Sequence, residues 1–404
     1  MTDKSIERLK SIAFLTSAFA MLLIGFWVVR NMIPIADEDL HYKQIMGIVE
    51  GRNYFPALCP YLPGYHWTMA GLVMLFHSAM GPTMRLLATL LSFLTVTSFY
   101  FLAKTVDAGT AVQKSLFFIL FPLFFPFFPL IYTDVYSMMF IFVALYLALD
   151  RRFWLSGIAS ILGLLVRQNN IIWVLLIGLA GYLEACAPQE RWKNAKEWIP
   201  KLSFYFLAMA LTATFVIWNR GFVLGDRSHH EFSITCGNIF FLLFLFFFLF
   251  LPYHLSNFSK IVHFLRKHKM MWLVLAEVFL LYFFFFKADH PYNHMGRFFR
   301  NWLLWKMLES PLSKCLHFLP IGYAILSLCV TPLSRRSFYL LYPFTLLFLA
   351  PLPVIEIRYC FVPFALFILF KGPDSERITL FSLASYLVPI AVIIYSMKME
   401  MFFP

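Results

Sequence analysis

The chain has 404 residues, of which 61% are hydrophobic, 20% aromatic and only 13% charged. It therefore lacks the polar surface that two or three soluble domains of that length would need. The composition also excludes disorder, which requires low hydrophobicity, and a disulfide scaffold, because the six cysteines are scattered with no CxxC pair and no histidines at zinc-ligand spacing. The net charge of +12 lies in Lys and Arg residues clustered in short loops between apolar runs. There they set the topology of a polytopic membrane protein.

The first apolar run covers about 11–29 and follows Lys4, Arg8 and Lys10. Its roughly 19 residues can span about 30 Å of hydrocarbon. It lacks a convincing A-x-A cleavage site, so it reads as an uncleaved anchor. Residues 31–82 are the longest mostly non-spanning stretch. Tyr42, Ile45, Met46 and Val49 fall on one helical stripe, with Lys43, Gln44 and Glu50 elsewhere, which predicts a helix lying in the membrane interface. Residues 66–80 predict a second interfacial or re-entrant helix. Further apolar runs follow near 83–103, 115–131, 137–149, 153–166, 170–184, 202–219, 238–254, 270–286, 316–330, 337–352, 359–370 and 378–397. Pro122, Pro126 and Pro129 interrupt one of them, which a bundle tolerates where it buries the freed backbone groups. The expectation is an all-α bundle of about 13 spans (12–14), with 1–404 forming one transmembrane domain.

Alternating the sides collects 19 of the 33 basic residues on the side of the N-terminus: Lys4, Arg8, Lys10, Lys104, Lys114, Arg151, Arg152, Arg191, Lys193, Lys196, Lys201, Lys260, Arg266, Lys267, Lys269, Arg335, Arg336, Lys371 and Arg377. That side is expected to be cytosolic. The opposite side collects six polar clusters, around Asp37, Asp134, Arg167, Asp226, His290 and Glu356. Charges at a membrane edge are costly and point to a site, here a polar reaction chamber at the non-cytosolic surface.

Each cluster has a bland reading beside the functional one. Asp37-Glu38 is either an N-cap with solvated acids or a general base for a sugar hydroxyl, with His41 on the same side of the helix. Gly225-Asp226-Arg227-Ser228-His229-His230-Glu231 is either a polar turn or a binding loop; adjacent histidines point apart and imply no metal. Arg167-Gln168-Asn169-Asn170 sits between two apolar runs, so Arg167 needs a partner, with Asp134 available, or contacts substrate. Arg358 stands at a helix start, the wrong end for the macrodipole. Either Glu356 or a lipid phosphate compensates it. His290, His294, Arg297 and Arg300 add positive potential on that side.

At these motifs the sequence resembles the eukaryotic dolichyl-phosphoglucose-dependent α-1,2-glucosyltransferases. The matching segments are Asp37-Glu38 with His41 and Glu50-Gly51, Leu62-Pro63-Gly64-Tyr65, Tyr132-Thr133-Asp134, Arg167-Gln168-Asn169-Asn170 through Trp173, Gly225-Asp226-Arg227-Ser228-His229-His230-Glu231, and Glu356-Ile357-Arg358-Tyr359 with Pro363. After His290-Pro291 the family carries Asp-Asn-Arg-His-Tyr. Here Asn293-His294-Met295-Gly296-Arg297 follows, with Arg297 the counterpart.

The resemblance implies a GT-C fold whose first luminal loop, 31–82, carries the catalytic acid. It also implies inverting transfer of glucose from dolichyl phosphate glucose to the 2-hydroxyl of the terminal glucose of a dolichol-linked oligosaccharide, at the luminal face of the endoplasmic reticulum membrane. Asp37 and Glu38 are the expected catalytic pair, with Asp37 as base and Glu38 orienting sugar or base. His41, Asp134, Arg167, Gln168, Asn169, Asp226, Arg227, His229, His230, Glu231, His290, Arg297, Glu356, Arg358 and Tyr359 are the expected substrate-binding residues. The expected partners are the two dolichol-linked substrates and membrane lipid, with no metal or cofactor and no nucleic acid. A lipid or sugar transporter is the alternative, thinly supported by Glu277, the one acid well inside an apolar run. A non-enzymatic regulator of other membrane proteins is the third reading.

Overall fold

The computed structural model describes residues 3–52, 60–187, 195–225, 233–294 and 299–399, and their regular structure is helical. The chain forms two compact units, Met1–Arg227 and Ser228–Pro404.

The first unit runs α1 (Asp3–Val29), α2 (Glu38–Val49), α3 (Gly64–Phe76), α4 (Gly81–Val106), α5 (Ala111–Ile119), α6 (Thr133–Leu149), α7 (Phe153–Val166), α8 (Ile171–Ala185), α9 (Ala195–Lys201) and α10 (Ser203–Asn219). Pro82 opens α4 in its first turn, where a missing N–H costs nothing. α4 packs on α1, α5 and α6, and α6 in turn on α7 and α8. The prolines at 122, 126 and 129 end α5 at Ile119 and turn the chain through a short 3-10 segment at Phe125–Phe127. The break is buried: Phe121, Phe124, Phe127 and Phe128 are fully enclosed. Ser92 Oγ donates to the Phe128 carbonyl at 2.6 Å, satisfying an acceptor that the broken helix leaves open. Phe118 stacks on Phe99 with ring centroids 4.4 Å apart.

The second unit runs α11 (Gly237–Leu249), α12 (Leu251–Ser256), α13 (Phe258–Lys267), α14 (Met271–Phe285), α15 (Phe299–Leu308), α16 (Pro311–Val330), α17 (Leu341–Leu349), α18 (Phe361–Phe370) and α19 (Glu376–Lys398). α16 packs against α11, α13, α14 and α15. Phe246 anchors an aromatic cluster with Phe250, His254 and Phe367, each within 4.8 Å between ring centroids.

Four described helices are long and apolar enough to cross a membrane: Ser5–Val29, Gly81–Val106, Pro311–Val330 and Glu376–Lys398. A fifth crossing arises if α13 and α14, bent by 107°, count as one span. Six more apolar helices are shorter, Thr133–Leu149, Phe153–Val166, Ser203–Asn219, Gly237–Leu249, Arg336–Leu349 and Ile357–Phe370. A helix of 14 residues covers about 21 Å, against about 30 Å of hydrocarbon. The chain is an all-helical membrane protein with several broken apolar segments.

α2 and α3 occupy the first loop, where two interfacial helices are expected. Ile45 joins Tyr65, Met69, Val73, Met84 and Leu91 in one buried cluster, with Tyr42, Met46 and Val49 packed against it. The predicted apolar stripe thus faces protein. Gln44, expected on the polar face, is also fully buried, as is His41.

Candidate active site

The acidic pair after α1 divides at once into two environments. Glu38 is buried and its carboxylate is surrounded by donors. Arg85 Nε reaches Oε1 at 3.2 Å and Nη2 reaches Oε2 at 2.6 Å. The backbone N–H groups of Ile35 and Ile131 donate to the same carboxylate, each at 2.9 Å. Arg85 is equally committed. Besides Glu38 it donates to the carbonyls of Val29 (2.5 Å), Met32 (2.7 Å) and Ile33 (3.0 Å). These account for all five guanidinium donors. They also bind carbonyls at and just beyond the end of α1. One buried ion pair therefore ties α1, α2, α4 and the segment before α6 together.

Asp37 sits one residue earlier, half-exposed at the N-cap of α2. Its side chain makes no capping bond to the helix. Its backbone N–H donates to the Tyr132 hydroxyl at 2.9 Å, and the same hydroxyl donates to the Ile35 carbonyl at 2.9 Å. Between them Ala36 has φ +49°, a left-handed conformation unusual for a residue with a Cβ.

His41, on the next turn of α2, shares a hydrogen bond of 2.9 Å between its Nδ1 and His66 Nε2 on α3. Tyr132 and Tyr61 flank it, with ring centroids 5.5 and 6.1 Å away. Burial, and then the neighbouring His41, hold the His66 imidazole well below its ordinary pKa. Burial and the Glu38 carboxylate push the Tyr65 phenol well above its own. Among the described residues, the Tyr65 hydroxyl, His66 Nδ1 and both ends of the Gln44 amide are buried with no hydrogen-bond partner. Such groups are expensive to leave unpaired and mark a polar interior next to the acids.

The Arg167-Gln168 segment closes this side. Arg167 forms a buried ion pair with Asp134 in the first turn of α6. It also lies over the Tyr61 ring, 4.6 Å from the centroid. Gln168 Nε2 donates to the Pro60 carbonyl at 2.6 Å. Asn170 donates to Ser137 Oγ and the Gly163 carbonyl, each at 2.8 Å, and Asn169 is half-buried. Gly64 makes the close approach possible, because a Cβ there would stand 2.5 Å from the Leu165 carbonyl oxygen. Beside the Glu38–Arg85 pair, a pocket of about 430 Å³ is lined by Arg30, Pro34, Asp39, Tyr42, Pro82 and Arg85.

In the second unit, Glu356 is buried and pairs with Arg358 Nη2 at 3.3 Å. Asn238 Oδ1 accepts from the Glu356 N–H at 3.1 Å, and its amide donates to the carbonyls of Leu352 (2.9 Å) and Val354 (2.8 Å). Asn293 Oδ1 accepts from the Ile355 N–H at 3.0 Å. His290 Nδ1 accepts from the Tyr292 N–H at 3.1 Å. Tyr359 is buried edge-on to Phe348. Along the α18 residues that follow lies an apolar crevice of about 300 Å³, lined by Phe246, Leu328, Tyr342, Leu346, Phe364 and Phe367. Asp226, Arg227, His229, His230, Glu231 and Arg297 lie outside the described residues.

The model of the DIE2/ALG10 family matches residues 34–197 and 182–369. The chain belongs to the DIE2/ALG10 family. Its relatives include proteins named Dol-P-Glc:Glc(2)Man(9)GlcNAc(2)-PP-Dol alpha-1,2-glucosyltransferase. The one from Arabidopsis thaliana is 22% identical, covering 95% of this chain and 96% of its own length. One from Homo sapiens is 25% identical over 83% of each. One from Kluyveromyces lactis is 27% identical over 43% of this chain and 36% of its own. No solved structure matches the chain.

Within this DIE2/ALG10 chain the structure brings Asp37, Glu38, His41, Asp134, Arg167 and Gln168 into one connected neighbourhood, and Glu356 with Arg358 into another. Sequence reasoning overlooked Arg85, His66, Tyr132 as an individual residue, Asn238 and Asn293. A signal existed for two of them. Arg85 is the one cation near the start of an apolar helix, and Asn238 a lone amide in another. Both are costly in a membrane protein unless they hold something.

Proposed function

We propose that this protein is an inverting α-1,2-glucosyltransferase of the GT-C type. It moves glucose from dolichyl phosphate glucose to the 2-hydroxyl of the terminal glucose on a diglucosylated dolichol-linked oligosaccharide. What carries this reading is the family match, which runs from residue 34 to residue 369 and so includes both Asp37 and Arg358. The relatives' names supply the donor and the acceptor. The bundle of about 13 membrane passages, the endoplasmic reticulum membrane, the cytosolic N-terminus and the luminal active site belong to the same proposal. The distribution of Lys and Arg supports the orientation.

A β-linked donor that yields an α-linked product reacts by a single in-line displacement. The acceptor hydroxyl forms its bond to the anomeric carbon as the bond to the phosphate oxygen breaks. The hydroxyl proton passes to Asp37, the half-exposed carboxylate of the pair. Glu38 orients that base through the fold of the loop, because its carboxylate is already held by Arg85 and two backbone N–H groups. The leaving group is a phosphate and needs no general acid, only positive charge where negative charge develops. Arg358 and Arg297 supply it, and the apolar crevice along α18 suits an isoprenoid chain. His41, Asp134, Arg167, Gln168 and Asn169 bind or brace the sugars. Asp226, Arg227, His229, His230, Glu231, His290, Glu356 and Tyr359 complete the binding set.

The test is direct. Purified protein receives dolichyl phosphate glucose labelled in the sugar, together with the diglucosylated acceptor. Label appearing in a triglucosylated product, in an α-1,2 linkage, supports the transferase. Label that crosses a vesicle membrane unchanged would favour the transporter instead, and neither outcome would favour the non-enzymatic regulator.

A further inference from the structure

We propose that Tyr132 is a positioning residue for Asp37 and acts through the backbone of the turn between α1 and α2. The inference rests on reading Asp37 as the base. Three observations carry it. Ala36, the residue before Asp37, is held at φ +49° although it has a Cβ. The Tyr132 hydroxyl bridges the peptide groups on either side of it, accepting from the Asp37 N–H and donating to the Ile35 carbonyl, each at 2.9 Å. Tyr132 itself is fixed: it is buried, its ring meets Phe127 and His41 edge-on at 5.3 and 5.5 Å, and it directly precedes the first turn of α6, where Asp134 pairs with Arg167.

A strained residue persists only where its surroundings over-determine it, and such residues cluster at active sites. Here the Glu38–Arg85 pair holds the turn from one side, with the Ile35 N–H on Glu38 Oε2 at 2.9 Å and the Glu38 N–H on the Ile35 carbonyl at 3.0 Å. The Tyr132 hydroxyl holds it from the other. Without that hydroxyl Ala36 relaxes toward negative φ, and the rotation carries the Cα–Cβ bond of Asp37 with it. The carboxylate remains in the loop but no longer stands where the acceptor proton is released. Because Ala36 is exposed, its side chain can be changed without disturbing the core.

The experiment measures single-turnover glucose transfer, substrate KM values and thermal melting for wild type, Asp37→Asn, Tyr132→Phe, Ala36→Val and the pair Tyr132→Phe with Ala36→Gly. Tyr132→Phe should leave both KM values and the melting temperature near wild type and slow transfer on the order of 10-fold, the usual penalty of the left-handed region for a residue with a Cβ. Adding Ala36→Gly should restore several-fold of that loss, because glycine adopts positive φ as readily as negative. Ala36→Val keeps the hydroxyl but opposes positive φ, so it should reproduce the slow transfer even if Tyr132→Phe does not fold. Wild-type transfer in Tyr132→Phe, or in Ala36→Val, would overturn the proposal, as would a double variant no faster than Tyr132→Phe. Wild-type transfer in Asp37→Asn would instead overturn the assignment of the base.

Discussion

The proposed split of duties between adjacent acids makes a sharp prediction: Glu38→Gln should damage the fold and Asp37→Asn the chemistry. Glu38 accepts two bonds from Arg85 and two from backbone N–H groups. An amide in its place turns one acceptor into a donor that faces other donors, and it leaves the Arg85 charge buried without an anion. Breaking a buried pair in this way costs about 3–5 kcal/mol. Asp37 is half-exposed and makes no capping bond through its side chain, so Asp37→Asn should cost the fold less than Glu38→Gln does. The transfer rate of Asp37→Asn should fall by about 10²–10⁴-fold, the usual contribution of a general base. The assay pairs thermal unfolding of the purified protein with single-turnover transfer per folded molecule, at saturating donor and acceptor. Glu38→Gln should melt well below wild type and lose less turnover per folded molecule than Asp37→Asn does. Glu38→Gln with Arg85→Gln should lose less than the sum of the single variants, because each then removes the charge that strands the other. A Glu38→Gln protein of wild-type stability with no turnover would refute the reasoning and move the base to Glu38.

Three further outcomes follow from the same geometry. The sequon Asn257-Phe258-Ser259 should carry no glycan: the Asn257 amide is buried and donates to Ser327 Oγ at 3.0 Å and Thr331 Oγ1 at 3.4 Å, so a mass shift removed by endoglycosidase would contradict the fold there. Arg358→Lys should lose roughly 10- to 100-fold in kcat/KM for the donor, since a point charge replaces a planar fork and forfeits a charge-assisted bond of about 1.5–3 kcal/mol; lower melting with donor KM unchanged would make Arg358 a structural partner of Glu356 only. His66 is neutral when folded because burial and His41 depress its pKa, whereas the unfolded chain takes up its proton below about pH 6.5. Stability should therefore fall as pH drops through 6.5 toward 5, by at most about 1.4 kcal/mol per unit from this group. An unchanged slope in His66→Gln would remove His66 as the cause.

The helices were legible because apolar runs separated by Gly, Pro or charge are a strong signal in a chain this hydrophobic. The breaks were less so. Arg167-Gln168-Asn169-Asn170 marks the end of α7 clearly, since four polar residues cannot continue an apolar helix in a membrane without partners. The expectation of about 13 spans treated each run as a crossing. Run length alone does not say whether a helix of 13–17 residues is a full crossing or one arm of a broken one, as the 107° bend between α13 and α14 illustrates. That decision belongs to tertiary packing.

The candidate site was legible where its residues lie in contiguous motifs and hidden where it is assembled across the chain. Asp134 as a partner for Arg167 could be inferred from two isolated charges that each needed a counterpart. Arg85 could not be matched to Glu38 in the same way, because 47 positions separate them and Asp37 and Asp39 offer equally plausible carboxylates. What selects Glu38 is geometry. The carboxylate also receives the N–H groups of Ile35 and Ile131, and Arg85 also reaches three carbonyls at and just beyond the end of α1. With α2 beginning at Glu38 both sets are satisfied, and the first position outside that helix is Asp37. The same pairing that buries one acid leaves its neighbour at the edge of the loop. The proposed division of labour follows from that: Glu38 builds the turn and Asp37 is left for the chemistry.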